Sequence, residues 1–300
     1  MKKSLYAVVT LIVILSILSL FVSGCATISS LMPSISDREW PKKRVMVMSV
    51  TNLSNLSLDA STDVSNDLAR GLRNTGFFTI HQQDEPKGCS IFESETKDNL
   101  DFLKQFSDMG MNAIVCTRLY PIDQMNVRSG IWPLRKKSKK FTAILNITIF
   151  DAYRKTVILN KDIIESIKIP FKDLKATNEN ILDIENKKPA LMQCLPDMLK
   201  RSVKAIYQAL NDEIWEGKII SVDTETITIN AGRDAGLKQG TMFVVLKNGQ
   251  LINTYNGKTY PLAGEELGRI KIVELKQRTS IAKPLTTGKF KAGQIIRVRE

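Results

Sequence analysis

The sequence predicts an α+β protein with two folded modules: an α/β domain over residues 44–214 and a small β-barrel over residues 215–300. Three observations carry this. Between Lys43 and Asn211, short apolar runs alternate with segments whose apolar residues recur at helical spacing, the pattern of a layered α/β domain. Two long β-rich runs, Phe141–Ala152 and Thr156–Ile169, are joined by Tyr153-Arg154-Lys155 and read as an antiparallel hairpin. From Glu216 onward, short strands at even spacing are separated by turn residues, as in small barrels.

The first 24 residues predict an export signal. Lys2 and Lys3 precede an uncharged apolar stretch from Leu5 to Val22, which closes on Val22-Ser23-Gly24-Cys25. The stretch is near the lower limit for spanning a bilayer, so a retained membrane helix is the competing expectation. Small residues packed against a cysteine count against it. They resemble the bacterial lipobox, which implies cleavage before Cys25 and an acyl lipid on its thiol as the new N-terminus. Residues 25–43, with Ser29, Ser30, Pro33, Ser34, Ser36 and Pro41, show no sustained period and are expected to form a tether. Ala26 after the cysteine, by likeness to enterobacterial sorting, implies an outer-membrane destination on the periplasmic face.

Within the α/β domain, Val45–Val50 reads as a buried strand. A helix follows, capped by Asp59 or Ser61, with Val64, Leu68 and Leu72 on one face and Gly76 just past its end. Phe77–Ile80 is a second strand, Leu100, Leu103 and Phe106 mark a second helix closed by Gly110, and Asn112–Leu119 is a third strand. After the hairpin, Phe171–Lys188 is polar and is expected to loop. Pro189 is expected to begin a long helix reaching Trp215, striped by Met198, Leu199, Val203, Ile206, Tyr207 and Leu210, with Pro196 kinking its first turns.

This order resembles the family that includes the curli-secretion lipoprotein (CsgG-like) and the amino-terminal domain of TolB. The residues that carry the likeness are Val45–Val50, Gly76–Ile80, Gly110–Val115 and the turn Phe150-Asp151-Ala152-Tyr153-Arg154. It extends over about half the chain, and it implies an α/β sandwich. In the C-terminal module, Ile-Asn-Ala-Gly-x-x-x-Gly-Leu-x-x-Gly-x-x-Phe-x-Val from Ile229 to Val245 resembles the C-terminal domain of flagellar assembly protein T, which implies an SH3-like barrel.

Composition narrows the function classes. The precursor carries a net charge of +12, or +10 once Lys2 and Lys3 are removed. An exported chain meets anionic head groups, lipopolysaccharide or acidic proteins rather than nucleic acid. With Cys25 lipidated, Cys89, Cys116 and Cys194 remain. Cys116 is expected in the core, and Cys89 could bridge to Cys194. The single histidine, His81, ends a strand, is expected at the surface and cannot build a histidine metal cluster.

Candidate chemistry is sparse. Gly232, Gly236 and Gly240 lack the Lys-Ser/Thr of a phosphate loop and read as turn glycines needing φ > 0. Asp59, Asp63 and Asp67 fall on one solvated helix face, and with Asp84 they form no metal or acid pair. No nucleophile elbow or triad is evident, so the expectation is a protein that is not an enzyme and needs no cofactor beyond the acyl lipid on Cys25. The candidate membrane or partner contacts are Trp132, Arg135, Lys136, Lys137, Lys139 and Lys140, a basic stretch beside an aromatic residue. The expected role is a lipid-anchored assembly or scaffold protein binding other envelope proteins, those of a flagellar or secretion apparatus. The alternatives are a subunit of an oligomeric outer-membrane secretion channel and a regulator of a peptidoglycan synthase.

Overall fold

A computed structural model describes residues 41–298 apart from 57–58, 84–96, 134, 175–181, 248, 250, 254–258 and 262–263. The described residues form one compact unit. The signal, Cys25, the tether, Trp40, Asp84 and Cys89 lie outside the described residues.

The first module is built on one mixed sheet. Strand β1 (Lys43–Met48) pairs in parallel with β3 (Phe78–Gln83) on one side and with β4 (Ala113–Leu119) on the other. The short β2 (Thr51–Asn52) extends the pairing to the end of β4. Strand β6 (Lys136–Asp151) is the long spine. Along one edge it pairs with β7 (Val157–Pro170). Along the other it pairs first with β5 (Asp123–Ser129) and then with β4.

Period-two alternation decides which residues each layer buries. On one face Val45, Val47, Val115, Phe141, Leu145, Ile147, Ile149 and Ile163 pack beneath helices α1 (Asp59–Asn74) and α3 (Leu182–Asn211). On the other, Met46, Met48, Ile114 and Cys116 pack against Leu103 and Phe106 of α2 (Lys97–Asp108). Helices α1 and α3 approach closely at Gly71, where an added Cβ would come within 2.7 Å of Val203.

Two expectations are corrected here. The long helix begins at Leu182 rather than Pro189, so both Pro189 and Pro196 lie inside it. Each removes one backbone donor, yet Ala190, Leu191, Cys194, Leu195 and Met198 form a continuous buried stripe that carries the helix past both. The second concerns the strand expected from Phe141, which begins at Lys136, and the stretch Ser129–Lys140 before it. That stretch is the turn and return strand of a β5–β6 hairpin, with Asp123–Ser129 against Lys136–Thr142.

The second module is a closed six-stranded barrel. Its strands are β8 (Glu216–Val222), β9 (Ile227–Ile229), β10 (Met242–Leu246), β13 (Glu266–Leu275), β14 (Ser280–Pro284) and β15 (Ile295–Val298), in the circular order β10-β13-β14-β9-β8-β15. Ile219, Ile227, Ile229, Phe243, Val245, Ile270, Ile272, Ala282 and Ile296 fill its interior, with Trp215 packed against Phe243 at a ring separation of 5.5 Å. Between β10 and β13 stands a small ribbon of β11 (Leu251–Asn253) and β12 (Thr259–Pro261). The whole is thus an α+β protein with a layered sheet domain and a C-terminal barrel.

Candidate functional site

The sequence-predicted contact residues gather on the β5–β6 hairpin. Its register sets Arg128 opposite Lys137, Ser129 opposite Lys136, Asn126 opposite Lys139 and Met125 opposite Lys140. At the tip Ile131 is 86 % exposed and Trp132 78 % exposed, the two most exposed large hydrophobic residues among those described. Arg135, Lys136 and Lys137 are exposed, while Lys139 and Lys140 are half-buried. From Gln124 to Thr142 the chain carries six basic residues and no acidic one. Beside the hairpin, β7 sets Lys168 opposite Lys140 and ends at Pro170 opposite Ser138, and the half-exposed Phe171 follows.

A second constellation, at the joint between sheet and barrel, escaped sequence reasoning. Arg44 has a side chain only 3 % exposed. Its Nε and Nη2 donate to Asp234 Oδ2 and Oδ1 at 2.9 and 2.6 Å, the paired geometry in which guanidinium–carboxylate bonds are strongest. Its Nη1 donates to the Asn230 carbonyl at 2.5 Å, and Nη2 also donates to the Arg278 carbonyl at 2.8 Å. Asn112 accepts from the Arg44 backbone N–H at 2.9 Å and donates to the Glu216 carbonyl at 2.6 Å. Asn230 donates to the Ser107 carbonyl at 3.2 Å and the Tyr153 hydroxyl at 3.0 Å. The buried Glu216 carboxylate accepts from Arg297 at 2.5 and 2.8 Å and from Arg154 at 3.3 Å.

Lys43 completes the joint. Its ammonium donates to the carbonyls of Leu210 and Glu213, at and just past the end of α3, at 2.7 and 2.5 Å. Burial pulls its pKa down to about 8 despite the attraction of Glu213. Asp151 accepts from the backbone N–H groups of Tyr153 and Arg154 at 2.8 and 2.7 Å, yet burial pushes its carboxyl up to about 6. Burial likewise raises the Tyr153 phenol. These groups line a pocket no larger than one water needs, so the joint holds parts together rather than admitting a ligand.

The glycine spacing belongs to this joint. Gly236 (φ +74) and Gly240 (φ +91) do adopt the left-handed conformation expected of turn glycines. Gly232 does not. Its φ is −144, and what excludes a side chain there is crowding, since a Cβ would lie 2.5 Å from the Lys276 carbonyl oxygen and 2.7 Å from that of Gln277. That close turn delivers Asn230 and Asp234 to Arg44. The available signal was a charged residue, Arg44, immediately before the run Val45–Val50 read as an apolar strand.

The remaining candidates disperse. Asp67 pairs with Arg70 on α1, and among the described residues no group of His, Cys, Asp or Glu could hold a metal ion. His81 is half-buried rather than at the surface, and burial together with Arg278 and Arg44 holds its pKa below the usual histidine value. Cys116 and Cys194 are both buried and neither is in a disulfide, so the bridge considered for Cys194 is not formed. Phe141, Leu145, Ile147 and Ile149 are spent on the core beneath α1 and α3, so this strand offers no apolar face to lipid. No described helix is long and apolar enough to cross a membrane.

Comparison with known proteins bears on the barrel. Residues 224–289 match the family described as the flagellar assembly protein T, C-terminal domain. No curated protein sequence matches the chain. Among solved structures, the chain is similar to the hypothetical protein CT253 from Chlamydia trachomatis, at 11 % identity and a TM-score of 0.35 over 54 % of this chain and 96 % of that one. It is also similar to lipoprotein GNA1162 from Neisseria meningitidis, at 11 % identity and a TM-score of 0.27 over 57 % and 99 %. The PelC dodecamer from Paraburkholderia phytofirmans gives 10 % identity and a TM-score of 0.26 over 45 % and 76 %. Likeness at this level assigns no role to this chain.

Proposed function

We propose that this chain is a lipid-anchored assembly factor of the bacterial envelope, facing the periplasm from the outer membrane, which binds other envelope proteins and catalyses no reaction. The observation that carries the reading is the match of residues 224–289 to a domain of a flagellar assembly protein, in a chain whose Val22-Ser23-Gly24-Cys25 resembles a lipobox. The order of elements in the α/β domain, with its CsgG-like and TolB-like likeness, adds support. The barrel is held to that domain by the ion pairs of Arg44 with Asp234 and of Arg154 with Glu216, so the two would act on a partner as one body. The partner is inferred to belong to a flagellar or secretion apparatus.

Crosslinking in native envelopes, with recovery of the full chain and mass spectrometry of its adducts, tests the reading. Adducts dominated by flagellar or secretion components are expected. Adducts confined to peptidoglycan synthases would replace the reading with that of a synthase regulator. Conducting rings in planar bilayers would replace it with a channel subunit, and hydrolytic turnover abolished by one side-chain change would refute it.

A further inference from the structure

We infer that the tip of the β5–β6 hairpin docks into an anionic lipid surface, with Ile131 and Trp132 entering the interface and Arg128, Arg135, Lys136 and Lys137 engaging phosphate head groups. The inference deepens the proposed function, because it rests on the chain being held at a membrane.

The first support is exposure combined with residue type. Ile131 and Trp132 stand at the tip of a hairpin that projects 86 % and 78 % of their surfaces into solvent. A tryptophan, with an apolar body and one N–H donor, suits the boundary between head groups and acyl chains.

The second support is an energetic anomaly. Like charges directly opposite one another on an antiparallel pair are destabilising. Here Arg128 faces Lys137 across β5–β6, and Lys140 faces Lys168 across β6–β7. No acidic residue lies between Gln124 and Thr142 to relieve them. An anionic surface would turn this repulsion into attraction.

The third support separates lipid from protein as the occupant. Successive strand residues point to opposite faces, so Lys136 and Lys140 lie on one face of the hairpin while Lys137 and Lys139 lie on the other. A flat protein partner would meet one of these faces. A finger entering a layer of head groups meets both, with its apolar tip foremost. Phe171, 44 % exposed just beyond the adjacent end of β7, adds a further apolar contact near the basic strands.

The test uses the full chain from a lipoprotein-processing host, reconstituted in vesicles whose lipids carry brominated acyl chains. One set is phosphatidylcholine alone, and the other contains one part phosphatidylglycerol to two parts phosphatidylcholine. The readout is quenching of tryptophan emission, with Trp132→Phe as the reference. Trp40 and Trp215 are present in both chains, so their emission cancels in the difference between the wild-type chain and Trp132→Phe. The expected result is quenching at Trp132 several-fold greater in the phosphatidylglycerol vesicles. Arg128→Ser, Lys136→Ser and Lys137→Ser should each lower the inserted fraction about fivefold, with circular dichroism confirming the fold. Identical quenching of the wild-type chain and Trp132→Phe in the anionic vesicles would overturn the inference. Mass spectrometry of the N-terminal peptide in the same sample keeps the two claims apart. An acylated Cys25 with an unquenched Trp132 refutes the docking alone, whereas quenching on an unacylated chain refutes the anchor alone.

Discussion

The joint and the hairpin tip use the same residue types to opposite ends. At the joint, Arg44, Arg154 and Arg297 each meet a carboxylate within 2.5–3.3 Å, Arg44 in a nearly dry site and the other two beside the buried Glu216. At the hairpin, Arg128, Arg135, Lys136 and Lys137 form no ion pair with any described residue, and two cross-strand neighbours repel one another. Buried charge without a partner costs several kcal/mol, so the joint's pairs are obligatory to the fold. Exposed charge costs little and remains available. The comparison teaches that cation density says nothing about role until the position of the nearest anion is known.

The most direct way to break the comparison is Arg44→Met. It strands the Asp234 carboxylate in a largely dry site and should cost about 3–5 kcal/mol. In urea unfolding followed by tryptophan emission and far-ultraviolet dichroism, the two probes should separate as the barrel uncouples from the sheet. Coincident transitions at unchanged stability would show that the joint is not what couples the modules.

Gly232→Ala should cost less, about 1–3 kcal/mol, as overpacking of the turn against the Lys276 and Gln277 carbonyls. The loss is read as a lower urea midpoint at constant slope.

The joint's titrations sharpen the comparison further. Asp151 titrates near 6 in the folded protein, above its ordinary value of 3.8. In that window the folded state holds more protons than the unfolded one, so its contribution to stability falls as pH rises from about 4 to about 6. Lys43 titrates near 8, below its ordinary 10.5. Between about 8 and 10.5 the unfolded state holds more protons, so its contribution rises with pH. Lys43→Met should abolish the gain above pH 8 in urea titrations across that range. The smallest effect belongs to the tip: Trp132→Ala should change unfolding stability by less than about 0.5 kcal/mol. A larger loss would mean that Trp132 serves the fold.

Much of the fold was legible because periodicity is local. Val64, Leu68 and Leu72 announced α1, since their spacing reports a face that must be buried, and the β-rich run Phe141–Ala152 announced β6. The start of α3 was not legible. Proline carries a strong local signal for a helix beginning, and only the sheet beneath Ala190, Leu191 and Cys194 overrides it. Strand β5 was missed because Asp-Gln-Met-Asn-Val-Arg-Ser is nearly all polar and owes its conformation to its pairing with β6. The basic hairpin residues were legible as a run of charge, but their exposure and like-charge register were not. The joint was hidden for another reason. Arg44 and Asp234 lie 190 positions apart, and nothing in either neighbourhood names the other.

Lys43 has a mechanical consequence. It opens β1, which lies between two parallel neighbours, and its ammonium grips the C-terminal end of α3, while the preceding Lys42 donates its backbone N–H to Ala235 in the barrel at 2.8 Å. Tension entering from the N-terminal side therefore meets both modules at once. It loads β1 along its length, so its ladders must shear together instead of unzipping one by one. The chain would resist a pull from that end better than one from Val298, whose strand closes the barrel at its seam beside β10.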